Sequence, residues 1–364
     1  MKGDSWMKEA LDKEQAFLKN LRLVAPGTLL YDGLENILKA RTGGLIVVSD
    51  DPEVLAMIDG GFKIDAEMHP ASLYELAKMD GAIILSEDAK RILYANVQLT
   101  PDHMIPSFET GTRHRTAERV AKQTNQLVIA ISQRRNVISM YWGNSNYVVR
   151  DISVILAKAN QALSTLEKYK SVFEQSLTNL TALEFENLVT LFDVATVIQR
   201  GQMVFHIAHE IETYVVQLGS EGRLVNMQLE ELMSDIEDEG LLVTKDYCNS
   251  IDVSAEDVWN EMVNWDSEEL LNLTLVARSL GHGNVVGNLE QPIIPRGYRI
   301  LNKIPRLPMP VIENLVETFN YLPDVLDASI EELDDVEGIG EVRAKAIQEG
   351  LRRLREQALF DRYL

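Results

Sequence analysis

The spacing of apolar residues changes period at Asp151, and that change excludes a single continuous architecture for this chain. Over residues 43–149, short runs rich in β-branched residues alternate with amphipathic stretches. Runs 44–48, 82–85, 91–95, 127–131, 137–141 and 147–149 read as strands, and stretches near 31–40, 71–78 and 113–124 read as helices. Neighbouring strands within 82–95 and within 137–149 are joined too tightly for a parallel crossover, so an α/β domain with a mixed sheet is expected. After Asp151, Ile152, Ile155, Leu156, Ala159, Leu163 and Leu166 fall on one face of a long helix, and helical signal continues to about residue 280. Breaks at 218–222 and 248–250 separate helices of a bundle or spine, and the loose stretch 281–295 marks another boundary.

A chain of 364 residues is too long for one core, and the pattern divides it into 8–150, 151–295 and 296–364. The expected fold class is multidomain: an α/β domain with a mixed sheet, an all-α spine and an all-α C-terminal domain. Charge is distributed unevenly over these segments. Residues 1–150 hold 18 Lys and Arg against 19 Asp and Glu, residues 151–295 hold 7 against 24, and residues 296–364 hold 10 against 13. The middle segment therefore carries most of the net charge of −21, and its acids are read as a solvated outer face without chemistry. Such a surface repels nucleic acid, so any DNA contact must be local and salt-sensitive. The single Cys248 excludes an intrachain disulfide and a cysteine-based zinc cluster, and the six histidines show no metal-ligand spacing. Any metal is then expected to be bound by oxygen, which favours Mg²⁺ or Mn²⁺. No stretch approaches the about 20 apolar residues of a membrane span, and the N-terminus lacks a signal-peptide core, so a cytoplasmic protein without membrane contact is expected.

Two motifs in the first segment bear on chemistry. Asp80-Gly81-Ala82 precedes a strand, where the carboxylate could hold a divalent cation and the glycine admit a ligand; it also reads as a plain turn. Gly111-Thr112-Arg113-His114-Arg115-Thr116 opens a helix, and cations in a first helical turn oppose the helix dipole unless an anion is expected there. Free amides, two hydroxyls and two guanidiniums would suit a polyphosphate. The alternative is that the arginines pair with Glu109 and Glu118. Ser132, Arg134 and Arg135 follow strand 127–131, either as a further wall of the same cleft or as a solvated basic turn.

At the other end, the run 333–347 reads as helix, Gly338-Ile339-Gly340 turn, helix, with Ile339 packed inside and Arg343 and Lys345 placed for phosphates. It resembles a helix-hairpin-helix module, which grips DNA backbone without reading sequence. The run 303–308 and the helix after it look like a degenerate first copy lacking the paired glycines. A purely structural or protein-binding helical module is the other reading.

The strings Leu73-Tyr74-Glu75-Leu76-Ala77-Lys78-Met79-Asp80-Gly81-Ala82-Ile83-Ile84-Leu85-Ser86 and Glu109-Thr110-Gly111-Thr112-Arg113-His114-Arg115-Thr116-Ala117-Glu118-Arg119 resemble the signature of bacterial diadenylate cyclases. The resemblance extends along nearly the whole chain, including the helical middle and residues 296–308. It implies synthesis of cyclic di-AMP from two ATP, with two cyclase domains meeting face to face. Each 3′-hydroxyl then attacks the α-phosphorus of the other ATP, and pyrophosphate leaves twice. Carried over, Asp80 is catalytic and ligates the metal, Gly81 and Leu99 line the ATP site, and Thr112, Arg113, His114, Arg115 and Thr116 bind phosphates. Ser132 and Arg135 are further phosphate candidates, and Gly338, Gly340, Arg343 and Lys345 are candidates for DNA. The resemblance further implies an octamer, association with the nucleoid, and branched DNA lowering the cyclase rate; symmetry by itself requires a dimer. A DNA-binding scaffold whose cleft only senses nucleotide remains the alternative. An ATPase is disfavoured because Gly-x-x-x-x-Gly-Lys-[Ser/Thr] is absent.

Overall fold

The computed structural model describes residues 15–249, 254–283 and 289–361. It packs as two compact units: one comprises residues up to Asn160 together with Glu212–Asn226, the other Gln161–Ile211 together with Met227–Leu364. Residues 8–14 of the expected first domain, and 250 and 284–288 of the expected breaks, lie outside the described residues. Among the described residues no helix is long and apolar enough to cross a membrane.

The first unit is built on an eight-stranded mixed sheet. Its centre is β1 (Gly44–Val48), parallel to β4 (Ala82–Leu85) on one side and antiparallel to β6 (Leu127–Ser132) on the other. Outward from β6 lie β7 (Val137–Trp142) and β8 (Ser145–Val148). Outward from β4 lies β5 (Arg91–Leu99), whose far edge pairs with β2 (Ile58–Asp59) and β3 (Phe62–Glu67). Every residue of β1 and β4 is buried because both faces are covered. On one face Ile46, Val48, Ile83 and Leu85 pack with Leu30, Leu34 and Ile37 of α1 (Leu29–Lys39) and with Leu73 of α3 (Pro70–Leu76). On the other, Leu45, Val47, Ala82 and Ile84 pack with Val54 of α2 (Pro52–Ala56) and with Ala117, Val120 and Ala121 of α4 (Thr112–Thr124). The mixed sheet and helices α1, α3 and α4 match the sequence reading, whereas α2, β2, β3 and the last four residues of β5 do not appear in it. Most of β3 is exposed, so hydrogen bonding to β5 rather than an apolar stripe holds it in place.

One irregularity shapes the open end of this sheet. Pairing of β4 with β5 shifts register between Ala82 and Ile84, and Asn96 takes up the slack with a left-handed φ of 53°. Gly81 faces that bulge at φ +119°, and a Cβ on it would lie 2.9 Å from the Asn96 carbonyl carbon. Replacing Gly81 therefore combines backbone strain with a main-chain clash. Gly81→Ala is expected to destabilise the protein by about 1–3 kcal/mol, read as a lowered urea midpoint; an unchanged midpoint contradicts this account.

The second unit is helical. It draws on α5 (Ile152–Glu186) and α6 (Leu191–Leu218), which supply residues to both units, and on α7 (Arg223–Met233) and α8 (Ile236–Tyr247). Three shorter helices follow, α9 (Ala255–Val263), α10 (Ser267–Leu271) and α11 (Leu273–Ser279). The C-terminal part contains α12 (Tyr298–Asn302), α13 (Met309–Phe319), α14 (Leu322–Asp327), α15 (Ile330–Asp334) and α16 (Glu341–Asp361). One apolar core runs through the C-terminal helices and includes Phe185 of α5 and Leu242 of α8.

A buried polar network ties these helices together. The fully buried Arg299 pairs with the equally buried Glu184 and donates to Thr181 Oγ1 at 3.0 Å. Tyr247 donates to Glu184 Oε1 at 2.8 Å, and the Asp246 carboxylate accepts the amides of Gly297, Tyr298 and Arg299 at 2.7, 2.6 and 3.1 Å. Breaking one member of a buried ion pair leaves an uncompensated charge in low dielectric. Arg299→Met should therefore cost about 3–5 kcal/mol, measured by denaturant unfolding, and a loss well under 1 kcal/mol would contradict the network's role.

Candidate nucleotide site and DNA interface

The bulge at Asn96 leaves β5 running past the end of β4, and a cleft of about 410 Å³ opens there. Asn96, Val97, Gln98 and Leu99 form one side, Leu45, Asp80, Gly81 and Ala82 the floor, and Thr112, Arg113 and Thr116 of α4 the other side. At the start of helix α4 the N-cap Gly111 is extended and carries no side chain to bond the first amides. Those amides therefore remain available to an anion.

Asp80 is fully open to solvent, and its carboxylate meets Arg113 Nη2 at 3.2 Å. Arg113 reaches it by passing Gly43, where a Cβ would sit 2.6 Å from the guanidinium. The alternative pairing of Arg113 and Arg115 with the Glu109 and Glu118 carboxylates does not form. Arg113 takes Asp80, Arg115 Nε points to the Glu109 carbonyl at 3.4 Å, and Glu118 is held by Lys122 at 2.7 Å. An exposed pair of this kind contributes at most about 1 kcal/mol, so it yields readily to a phosphate or a cation.

Of the residues singled out from sequence, the cleft gathers Asp80, Gly81, Leu99, Thr112, Arg113 and Thr116. His114, Arg115, Ser132 and Arg135 are not among its lining. His114 is buried against β7, where its Nδ1 lies 3.0 Å from Tyr141 Oη. Tyr141 in turn donates to Glu109 Oε1 at 2.7 Å, and Glu109 is 3.6 Å from Arg135 Nη2. Since the tyrosine proton is committed to Glu109, the histidine must donate through Nδ1, leaving Nε2 unprotonated; Nε2 has no partner. Arg135 lies on the turn after β6, where its amide bonds Ser132 Oγ at 3.2 Å. Gly43, Asn96 and Gln98 were missed in the sequence: a glycine just before a strand and two polar residues flanking Val97 match no chemical motif.

Among the described residues no group of three or more His, Cys, Asp or Glu gathers to cage a metal ion. The open Asp80 carboxylate is a ligand type that suits a hard cation, whereas the amides and guanidinium beside it suit an anion.

In the second unit, two helix–turn–helix stretches repeat at the level of single hydrogen bonds. Ile304 N to Leu301 O, Leu307 N to Ile304 O and Ile312 N to Pro308 O are matched by Val336 N to Leu333 O, Ile339 N to Val336 O and Ala344 N to Gly340 O. Arg306, at φ 66°, stands where the second copy has Gly338 at φ 84°. The degenerate first copy suggested by the sequence thus has the backbone of the second. Ile339 is buried as expected, and a cleft of about 510 Å³ lies between the turns, lined by Arg306, Gly340, Val342 and Arg343 among others. Arg343 Nη1 donates to the Gly338 carbonyl, and Lys345 pairs with Glu341 at 2.5 Å.

The α/β sheet with a helix N-terminus over a carboxylate belongs to a known class. Residues 31–145 match the family model for the nucleotide-binding region of the DisA bacterial checkpoint controller, and residues 149–289 match the model for its linker region. The chain is 59% identical over 349 residues to the DNA integrity scanning protein DisA of Carboxydothermus hydrogenoformans, covering 96% of this chain and 99% of that protein. It is 58% identical to the DisA protein of Symbiobacterium thermophilum, covering 97% of this chain and all of that one. Among solved structures it is similar to a double mutant of DacA from Staphylococcus aureus at 21% identity, over 38% of this chain and 89% of that one, with a TM-score of only 0.29. The chain belongs to the DisA family, and its first unit carries a diadenylate cyclase domain, which makes it a nucleotidyltransferase.

Burial, reinforced by Arg135 and opposed by Glu109, lowers the His114 pKa below 6.5. The unfolded chain then takes up the proton first, so the stabilising contribution is complete above about pH 6.5 and is lost as pH falls through the folded value. An NMR titration should find His114 neutral at pH values where a solvated histidine is half protonated. Tyr141→Phe strands His114 and Glu109, and an unfolding cost of about 1–3 kcal/mol is expected from denaturant midpoints.

Proposed function

We propose that this protein condenses two ATP into cyclic di-AMP and two pyrophosphates across a face-to-face pair of its clefts. The observation that carries the reading is the convergence of Asp80, Thr112, Arg113 and Thr116 on one cleft. The adenosine lies along residues 97–99, where β5 runs on beyond the pairing of Val97 with Ala82 and Leu45 and Leu99 offer apolar wall. The triphosphate lies over the N-terminus of α4, with Arg113 leaving Asp80 to bond phosphate oxygens. Thr112 and Thr116 hydroxyls donate to the same oxygens.

Asp80 would hold a Mg²⁺ or Mn²⁺ ion, which would supply charge neutralisation when bound. Asp80 orients the attacking 3′-hydroxyl and receives its proton. The new bond joins the 3′-oxygen to the α-phosphorus of the partner's ATP, the bond from that phosphorus to the β-phosphate bridge breaks, and pyrophosphate leaves toward Arg113. The same step in the opposite sense closes the ring, which one cleft holding one ATP cannot do. Positioning and electrostatics are the main terms in such a transfer.

The functional division is cyclase 8–150, spine 151–295 and DNA-binding 296–364. The assembly is a dimer at least, with an octamer implied by the family resemblance. Arg115 and His114 support the phosphate turn, and Ser132 and Arg135 border it. Gly338, Gly340, Arg343 and Lys345 take DNA phosphates, and junction DNA lowers cyclase output.

Incubation with ATP and Mg²⁺ or Mn²⁺, with and without branched DNA, should yield cyclic di-AMP and pyrophosphate at a rate that DNA reduces. Nucleotide binding without product would leave a sensor instead. Asp80→Asn is expected to lower turnover by about 10²-fold or more while retaining binding of a non-reactive ATP analogue. Full activity in that variant overturns the assignment of Asp80.

A further inference from the structure

Of the phosphate candidates outside the cleft lining, His114, Arg115 and Arg135 are all tied to one residue, Glu109. Glu109 stands two residues ahead of the Gly111 N-cap of α4. Its Oε1 accepts the Tyr141 hydroxyl at 2.7 Å, and that hydroxyl lies 3.0 Å from His114 Nδ1. Its carbonyl takes Arg115 Nε at 3.4 Å, and its Oε2 lies 3.6 Å from Arg135 Nη2.

The two partners of this carboxylate are held very differently. Toward Tyr141 the bond is firm, because burial and Glu109 itself push the tyrosine pKa above its ordinary value and keep the hydroxyl a donor to a charged acceptor. Toward Arg135 the pair is loose: 3.6 Å exceeds hydrogen-bond range, and the arginine side chain is 56% exposed against 20% for Glu109. The carboxylate is therefore the fixed member and the guanidinium the movable one, in a pair that contributes at most about 1 kcal/mol. Arg135 is also rooted beside the phosphate end of the cleft. A Cβ on Gly43 would lie 2.6 Å from the Arg113 guanidinium and 3.4 Å from the Ile131 carbonyl, so the end of β6 borders Arg113. The turn that follows is tight, with the Asn136 amide bonding the Ser132 carbonyl at 2.8 Å, and it keeps Arg135 close to that strand end.

We propose that Glu109 is a positioning residue that competes with phosphate oxygens for Arg135 and so keeps the hold on pyrophosphate weak enough for release; this rests on the cyclase reading. Asp80 and Arg113 form the corresponding pair inside the cleft, so each of these two arginines faces a carboxylate that it can exchange for a phosphate. The pairs differ in one respect. Asp80 is open to solvent, whereas Glu109 is fixed by Tyr141 and cannot follow the arginine that it releases. When Arg135 turns to a phosphate, Glu109 keeps its negative charge beside the polyphosphate and repels it. Cations without such a counterweight would bind substrate and departing pyrophosphate alike, which lowers KM without raising turnover.

The test is Glu109→Gln in the full chain, where the amide oxygen still accepts the Tyr141 hydroxyl and only the charge is lost. Calorimetry with inorganic pyrophosphate and Mg²⁺ should show binding tightened by about three- to tenfold, the scale set by one partly exposed charge. Pyrophosphate should inhibit the cyclase reaction at a correspondingly lower concentration. A merely structural Glu109 predicts the reverse, a loosened α4 turn and weaker binding. Arg135→Ala should weaken pyrophosphate binding, and in that background most of the gain from Glu109→Gln should vanish. Unchanged or weaker binding in Glu109→Gln, or an undiminished gain without Arg135, overturns the proposal. Wild-type affinity in Arg135→Ala overturns it as well, whether or not Glu109→Gln folds. If the wild-type chain makes no cyclic product, the cyclase reading falls, while the calorimetric comparison still decides whether Glu109 and phosphate compete for Arg135.

Discussion

The cleft of the first unit exists because the β5 backbone passes through a left-handed Asn96 pressed against a glycine. Without that bulge, β5 would continue in register beside the chain leading into β4, and its polar groups would be consumed by the ladder. Gly81 permits the approach, since any Cβ there would meet the Asn96 main chain. The same shift sets Asp80, one residue earlier, at the open end rather than beside a strand. Helix α4 packs Ala117, Val120 and Ala121 on that face of the sheet, so its uncapped N-terminus is carried to the same opening.

Different physics holds two neighbouring residues of the turn that opens α4. Arg113 is held by an exposed ion pair that a ligand can exchange at little cost. His114, next in sequence, is held by a buried chain through Tyr141 to Glu109. Low dielectric makes that chain stiff, because a partly satisfied polar group there is expensive. A rigid anchor beside an exchangeable cation is what a site needs if it is to bind a polyphosphate and later release pyrophosphate.

The second unit solves a different problem. Its two turns share one backbone pattern although Arg306 replaces Gly338 and Pro308 replaces Gly340. Buried residues at matching positions, such as Leu301 and Leu333 or Leu307 and Ile339, preserve the shape while the turn chemistry diverges. The proline removes an amide that the glycine retains, so the copies are unequal in what they offer an anion. The Arg299 network fastens the first copy to α5 and α8 through groups that are costly to expose.

How much of this was legible in the sequence depended on the physics behind each feature. Strands buried on both faces, such as β1 and β4, announce themselves as unbroken apolar runs, and α4 announces itself by period and by cations that violate the dipole rule. The Gly-x-Gly turn before α16 and the period change after Asp151 are likewise local. β3 was not legible, because pairing rather than burial maintains it. Nor was the end of β5, where Asn96 and Gln98 interrupt the apolar run although they alternate with the buried Val97 and Leu99. By itself the sequence determined the mixed α/β class, the helical remainder, the family and the pairing of Asp80 with the motif at 111–116 as candidates for one site. Only tertiary structure decided that Arg113 meets Asp80, that His114 turns away into the core, and that Asn96 and Gly43 shape the cleft. Those outcomes are set by which backbones approach within a few ångströms, and contacts between residues distant in the chain leave no periodic trace in it.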